Sequence, residues 1–304
     1  MARDPVQPRR PPGLGRLVDT PRPHPRRRHL LAEFGFSSRL VGAELHGTGA
    51  IAPAMHVPGT SLLRTSILAT WADMVGGTLT MRAIAPRAPV TLELDVHLYR
   101  PAPSEGRVRA VGRVAKSGRS VTVIEVDFLD ERGEAFAFSG SSFMAAPDSS
   151  ITLRWPASID QPPREPTMTL PLADRAGCKR QQPGIAVLPR IEDGLNGVGT
   201  IHGGLLALAA EEAVLSLAPG ETLSSLGLRY LQPVRVGPAV ATATISGGLG
   251  RVELRDSGRQ DRLAVTATAR TFGALLWPAH AFDQVLPGLP DPLLGFVGVG
   301  ELAG

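Results

Sequence analysis

The sequence predicts an α+β protein in which one unit, a long apolar helix followed by an antiparallel meander of strands, occurs twice in tandem. Two segments have helical spacing, each is followed by alternating apolar and polar residues, and the order of elements repeats. The 304 residues suffice for two ordinary domains. We predict domains at 29–147 and 173–275, joined by a Pro-rich linker at 148–172.

The first helix is predicted from apolar residues spaced three or four apart between Leu63 and Val75, and Gly76-Gly77 is expected to end it. The segment is apolar on nearly every side, as is typical of a helix enclosed by a sheet. Four strand-like segments with short turns follow, which indicates an antiparallel meander. They span residues 90–99, 106–115, 121–129 and 135–143.

The second half repeats this order. Its helix is predicted at about 203–217 and ends before Pro219-Gly220. The strand-like segments are 185–188, 223–231, 239–245, 251–255 and 263–272. Aligning the two helices places Arg64-Thr65-Ser66 opposite His202-Gly203-Gly204, and Asp73 opposite Glu211. These coincidences favour an internal repeat over a chance similarity of two meanders.

Composition and charge narrow the class of protein. Residues 1–28 hold eight Arg against two Asp and have a net charge of +6. Because the whole chain has a net charge of +4, the remaining residues carry −2, which predicts no nucleic-acid partner. This segment is predicted to be a disordered basic tail, either inert or touching RNA or acidic lipid. The apolar, Pro/Gly-rich tail at 276–304 is expected to pack on the body. With Cys178 alone, no signal peptide and no membrane span, we expect a cytoplasmic protein.

A polar, glycine-rich loop at 196–204 runs directly into the second helix. Glycine at a helix start lets a ligand approach the free backbone N–H groups closely, and those groups favour negative charge. The loop can therefore serve as an oxyanion hole. The alternative is an ordinary glycine-rich helix start with a buried histidine.

These residues resemble a known superfamily. The order of elements resembles the hotdog fold. Asn196…Gly199-Thr200-Ile201-His202-Gly203-Gly204…Glu211 resembles the Asn…Gly-x-x-His-Gly-Gly…Asp/Glu signature of the phenylacetate-degradation-type acyl-CoA thioesterases. The first half is similar more loosely, through Asp73, Thr91 and Lys116-Ser117-Gly118-Arg119. The resemblance implies two hotdog domains, each a sheet wrapped around a central helix, which form a pseudo-dimer within one chain.

The resemblance also implies roles for these residues. Asn196 would hold the thioester carbonyl or the attacking water, and the N–H of Gly203 would supply the oxyanion hole. His202 and Gly204 would shape the turn, and Thr91 would help to position the water. A helix carboxylate would act as general base or as nucleophile. Lys116, Gly118 and Arg119 either line a coenzyme A channel or form a plain hairpin turn.

Helix geometry decides which carboxylate could serve this oxyanion hole. Glu211 is eight residues beyond Gly203, or about 12 Å along the same helix, which is too far for its side chain. The base is therefore predicted to be Asp73 of the other helix, in a site with Thr91, Asn196 and Gly203. A second site at Glu211 lacks the Asn and both glycines and is predicted to be degenerate. Glu211 then has either a structural role, paired with Arg64, or a catalytic one.

The sequence thus predicts a thioester hydrolase that acts on acyl-CoA at one composite site. Two alternatives stay open: a non-catalytic double hotdog that binds acyl-CoA or another ligand, and a hydratase or dehydratase on the same fold. No cofactor and no metal are implied. Further association of double hotdogs into a homo-oligomer is possible because a sheet edge is expected to be exposed.

Overall fold

The computed structural model describes residues 29–153 and 159–273. In this part of the chain, a single antiparallel sheet of twelve strands encloses two long helices. The predicted α+β class, with two hotdog units in tandem, is confirmed. The predictions for the tails at 1–28 and 276–304 lie outside the described residues.

Each half contributes six strands and one long helix. The first half contains β1 (Ser37–Val41), β2 (Glu44–Ala50), α1 (Thr65–Ile84), β3 (Pro89–Leu98), β4 (Arg107–Ser117), β5 (Val121–Leu129) and β6 (Ala135–Ala145). The second half contains α2 (Leu172–Ala176), β7 (Lys179–Gln182), β8 (Ile185–Leu188), α3 (Gly203–Leu215), β9 (Leu223–Tyr230), β10 (Ala239–Ser246), β11 (Leu249–Asp256) and β12 (Arg262–Thr271). All nine segments predicted as strands are present, with ends within three residues of the predicted ones.

The sheet order shows how the two halves join. The strands run β1-β2-β4-β5-β6-β3-β9-β12-β11-β10-β8-β7, so β3 and β9 form the seam. The register there is symmetric, because Asp95 lies opposite Gly227, and these residues each precede by six positions one of the two corresponding prolines, Pro101 and Pro233. The two halves are therefore related by an approximate two-fold axis at the seam. The helices α1 and α3 pack against each other beneath it.

The prediction that Gly76-Gly77 ends the first helix is wrong, since α1 continues to Ile84. Packing explains the difference. A Cβ on Gly76 would lie 2.6 Å from the ring of Phe143, so the glycine lets that buried ring lie directly on the helix backbone. Tertiary packing here outweighs the weak helix propensity of glycine, about 1 kcal/mol per residue.

The described part of the linker packs against the first half. The N–H of Gln161 donates to the carbonyl of Ser38, and the N–H of Thr167 donates to that of Glu33. Met168 is buried in the common core. None of the described helices is both long enough and apolar enough to cross a membrane.

Candidate active site

The first turn of α3 has one backbone N–H group without a hydrogen-bond acceptor in the described structure. His202 caps this helix: its Nδ1 accepts from the N–H of Gly204 at 3.0 Å. Its carbonyl accepts from Leu205 at 2.9 Å and from Leu206 at 3.2 Å. Gly203 alone in this turn donates its N–H to no group within residues 29–153 and 159–273. This N–H lies at the positive end of the helix dipole and is available to an anionic ligand atom.

Asp73 of α1 lies beside that free donor. Its Oδ2 atom is 3.2 Å from the position that a Cβ on Gly203 would occupy, and its Oδ1 accepts from the Thr91 hydroxyl at 2.8 Å. The side chain is only 12% exposed. The structure thus brings together Asp73 and Thr91 from the first half and Gly203 from the second. Glycine is needed at 203 because a side chain would fill the space between the helix start and the carboxylate.

His202 is the third polar neighbour of this space. Its Nε2 lies 3.7 Å from Oδ2 of Asp73. Because Nδ1 accepts from Gly204, a neutral ring carries its proton on Nε2, on the side that faces Asp73. Burial lowers the pKa of His202 and outweighs the opposing effect of Asp73, and the nearby His29 lowers it further. The imidazole is therefore neutral at pH 7, as its capping bond requires.

Tyr230, at the end of β9, is a site residue that the sequence reasoning missed. Its hydroxyl donates to the carbonyl of Gly203 at 3.1 Å, and it is also 3.1 Å from the position of a Cβ on Gly203. Burial, and then the charge of Asp73, raise the pKa of Tyr230 well above the usual value of a phenol. One signal in the sequence could have found it: Tyr230 is one of only two tyrosines and lies on the strand after the helix.

His29 was missed as well. Its Nε2 lies 2.6 Å from the carbonyl of Leu195, and its Nδ1 accepts from the N–H of Leu31. It thereby links the start of the first half to the loop before α3 and lies close enough to lower the pKa of His202. The local sequence does not predict this contact, because the two residues are 166 positions apart in the chain.

Asn196 organises its own loop. Its Oδ1 accepts from the N–H groups of Val198 at 3.1 Å and Thr200 at 3.0 Å, and its Nδ2 donates to the Thr200 hydroxyl at 2.8 Å. It makes no hydrogen bond to Asp73 or Gly203 in the described structure. The structure therefore does not bring Asn196 into contact with the other predicted residues of the site.

Gly204 permits the close approach of the two helices. A Cβ at this position would lie 2.1 Å from Oγ1 and 2.7 Å from Cβ of Thr70 on α1. Thr70 itself is buried and donates its hydroxyl to the carbonyl of Ser66. Besides donating to the capping histidine, Gly204 therefore sets the distance between the halves, which determines how near Asp73 lies to Gly203.

The equivalent position in the other half is closed. Glu211 of α3 is fully buried, and its Oε1 accepts from the N–H groups of Thr65 at 2.9 Å and Ser66 at 3.3 Å. Its Oε2 accepts from Arg64 Nη1 at 3.0 Å and from the Ser66 hydroxyl at 2.6 Å. The expected pairing with Arg64 is thus present. This carboxylate occupies the N–H groups that start α1, so no oxyanion donor is left there.

A wider charge network surrounds Arg64. Its Nη2 lies 2.6 Å from Oε1 of Glu212, whose Oε2 lies 2.6 Å from Nε of Arg180. Burial alone would lower the pKa of Arg64, but the two carboxylates outweigh it and raise the pKa above its ordinary value. A buried guanidinium with two carboxylate partners thus lies beside Glu211 at the start of α1.

Gly118 and Arg119 lie in the exposed hairpin turn between β4 and β5, and the exposed Lys116 lies near the end of β4. The residues that form one row across the sheet from this hairpin are Ser117, Thr122, Phe143 and Thr91. The hairpin is thus at the same end of the sheet as Thr91, about 14 Å away at three strand spacings. Its role in binding coenzyme A stays a prediction.

The fold and this site define a tandem hotdog protein with two carboxylate sites, one beside a free backbone N–H group and one whose N–H groups are occupied. Residues 66–137 match the family model described as Thioesterase superfamily, a stretch that includes Asp73 and Thr91. No curated protein matches the sequence. The match covers part of the first half, and the predicted enzyme class, a thioester hydrolase, is confirmed at the level of that superfamily.

Solved structures share the tandem arrangement. The 12:0-ACP thioesterase from Umbellularia californica is similar over 77% of this chain and 98% of its own, with 16% identity and a TM-score of 0.54. A candidate oleoyl thioesterase from Lactobacillus plantarum is similar over 78% and 95%, with 13% identity and a TM-score of 0.52. A candidate thioesterase II from Thermobifida fusca is similar over 80% and 97%, with 18% identity and a TM-score of 0.50. At these identities the similarity supports the double hotdog fold alone.

Proposed function

We propose that this protein hydrolyses acyl-CoA thioesters at a single composite site between its two halves. One observation carries the proposal: Oδ2 of Asp73, from the first half, lies 3.2 Å from the position that a Cβ on Gly203 would occupy, and Gly203 has the free N–H of the α3 helix start. A base and an oxyanion donor thus face the same space. Hydrolysis of a thioester needs both, the base to activate water and the donor to stabilise the tetrahedral oxyanion.

The reaction follows from this geometry. Asp73, oriented by the Thr91 hydroxyl, takes a proton from a water molecule whose oxygen bonds to the thioester carbonyl carbon. The carbonyl electron pair moves onto oxygen, where the Gly203 N–H stabilises it. When the C=O bond forms again, the C–S bond breaks, and the leaving thiolate takes up the proton that Asp73 had accepted, which returns Asp73 to its charged form. The products are a free acid and the thiol of coenzyme A.

The hydratase alternative lacks support in the residues that it would need. Hotdog dehydratases pair a loop histidine with a Glu on the helix, and the matching positions by resemblance are His56 and Thr70. Thr70 is no acid, and its hydroxyl donates to the carbonyl of Ser66. His56, the histidine at the matching position, has its Nε2 2.9 Å from the carbonyl of Ser104.

Cytoplasmic location is part of the proposal, because a single cysteine, Cys178, cannot form a disulfide within the chain and so fits a reducing compartment.

The test is hydrolysis of short, medium, long and aromatic acyl-CoAs, followed by trapping of the free thiol with 5,5′-dithiobis(2-nitrobenzoate). Asp73→Asn removes the base and is expected to lower kcat by about 10²-fold to 10⁴-fold. Glu93→Gln is the matched control, because Glu93 is a half-exposed carboxylate on the sheet that pairs with Arg229. Binding of acyl-CoA without release of thiol from any of these substrates would favour the non-catalytic alternative.

A further inference from the structure

The space above Gly203 is flanked by a second polar atom besides Asp73. The Tyr230 hydroxyl and Asp73 Oδ2 lie 3.1 Å and 3.2 Å from the same point, the position of the absent Cβ, so these two oxygens are at most 6.3 Å apart. A thioester whose carbonyl carbon lies within reach of the Asp73-bound water is therefore also within reach of the tyrosine hydroxyl.

The donor that the resemblance implies at this position is held within its own loop. The Asn196 amide oxygen accepts two backbone N–H groups of the loop, and one of the two N–H groups of the amide nitrogen donates to Thr200. These three bonds fix the orientation of the amide, so turning it toward a substrate would break the contacts that shape the loop before α3. A buried donor that loses its acceptor costs about 1–3 kcal/mol, and the N–H of the buried residue Thr200 is one of the donors concerned.

By contrast, the Tyr230 hydroxyl can give up its hydrogen bond within the protein without leaving its acceptor unpaired. It donates to the carbonyl of Gly203, which as the first carbonyl of α3 also accepts the helical bond from four residues ahead. If the hydroxyl turns to a ligand, that carbonyl keeps its helical partner. Rotation about one C–O bond then suffices to move the donor from protein to substrate.

The two halves differ at this position as they differ in the rest of the site. Tyr230 lies three residues before Pro233, and the residue three before the corresponding Pro101 is Leu98, which is buried. The half with the free N–H group thus has a hydroxyl where the closed half has an apolar side chain. The second site thus lacks both the hydroxyl and the free N–H group that the first site has.

We propose that the Tyr230 hydroxyl, rather than the Asn196 amide, is the second hydrogen-bond donor to the thioester carbonyl oxygen, beside the N–H of Gly203. This inference rests on the proposed function. As the water oxygen bonds to the carbonyl carbon and its proton passes to Asp73, the electron pair that moves onto the carbonyl oxygen is held by both donors. The phenol keeps its proton throughout, and the C–S bond breaks when the C=O bond is restored.

Kinetics of three variants test the assignment. Tyr230→Phe is expected to lower kcat by about 10²-fold with KM changed less than about threefold, since the donor acts on the developing oxyanion. Asn196→Asp keeps the two acceptor contacts of the loop and removes the amide donor, and it should retain activity within about fivefold. Tyr99→Phe changes the only other tyrosine, which is exposed, and should behave as the wild type.

A spectroscopic readout does not depend on turnover. The probe is acetonyl-pantetheine labelled with ¹³C at its ketone carbonyl, which carries the pantetheine arm but has no thioester to hydrolyse. Bound to wild-type protein, the carbonyl resonance should move downfield of the free ligand because two donors polarise it. This shift should shrink in Tyr230→Phe and persist in Asn196→Asp, while thermal unfolding confirms that each variant is folded.

The outcomes separate the two proposals. Full activity and an unchanged carbonyl shift in Tyr230→Phe would overturn the role of Tyr230 and leave Asp73-dependent hydrolysis standing. Loss of the shift in Asn196→Asp, with the shift kept in Tyr230→Phe, would return the role to Asn196. Equal rates for wild type and Asp73→Asn would overturn the proposed function, and the inference with it.

Discussion

Glu211 accepts the backbone N–H of Thr65 at 2.9 Å, across the interface between the two halves of the chain. Asp73, its counterpart in the repeat, makes no such bond to Gly203 and leaves that N–H free. The two carboxylates therefore have opposite relationships to the helix start that each one faces. One completes a buried network, and the other lies near a backbone N–H group that has no acceptor among the described residues.

Replacement of Glu211 by Gln should destabilise the protein by roughly 3 kcal/mol without removing the proposed base. The amide would place an N–H₂ group or a weaker acceptor against Arg64, whose buried charge would lose part of its compensation. Urea unfolding measures the change. Glu192→Gln is the matched control, because Glu192 pairs with Arg190 at the surface and should change stability by less than about 1 kcal/mol. A stable, folded Glu211→Gln protein without hydrolytic activity would show that Glu211 is the base instead.

Gly204→Ala should destabilise the contact between the helices by roughly 1–3 kcal/mol, because the new methyl group would overlap the buried Thr70 side chain. Thr70→Ala removes the two outer atoms of that side chain. In a double-mutant cycle followed by thermal unfolding, we expect the second change to offset part of the first. Strict additivity of the two changes would contradict a direct steric contact.

The adjacent glycines of α1 provide a comparison within one helix turn. Gly76→Ala should destabilise the protein because its Cβ would meet the Phe143 ring at 2.6 Å, whereas at Gly77 the nearest atom is 4.0 Å away. Gly77→Ala should then stabilise by up to about 1 kcal/mol through helix propensity. Chemical unfolding of both variants checks the signs. Equal effects would mean that the Phe143 contact does not determine the need for glycine.

His202 should make stability depend on pH. Its pKa is lowered in the folded protein, so the unfolded chain binds the proton more readily. The free energy of unfolding should therefore rise with pH below about 6.5, the usual pKa of histidine, by at most about 1.4 kcal/mol per pH unit. His202→Asn retains a side-chain acceptor for the Gly204 N–H and should show a smaller slope in urea unfolding between pH 5 and 7. An unchanged slope would show that His202 does not titrate in this range.

The sequence was sufficient to predict the fold and the proximity of Asp73 to Gly203. The periodicity of the strands and the repeat of helix and meander determine the sheet, and the length of a helix turn was enough to associate Gly203 with Asp73 rather than Glu211. The contacts of Asn196 and Tyr230 could not be read in this way. Asn196 uses its amide within four residues of itself, and Tyr230 reaches Gly203 only after strand and helix have packed. Both depend on competition between hydrogen-bond partners, which a spacing pattern does not record.

The continuous sheet across β3 and β9 has a consequence for how such a protein can evolve. In a symmetric homodimer of single hotdog units, each substitution appears twice, so a change that closes one pocket closes both. In a single chain that holds both units, a substitution changes one pocket and leaves the other as it was. Arg64 and Glu211 could become a rigid internal brace while Asp73 and Gly203 kept their separate geometry. Covalent linkage thus allows a division of labour that identical subunits cannot achieve.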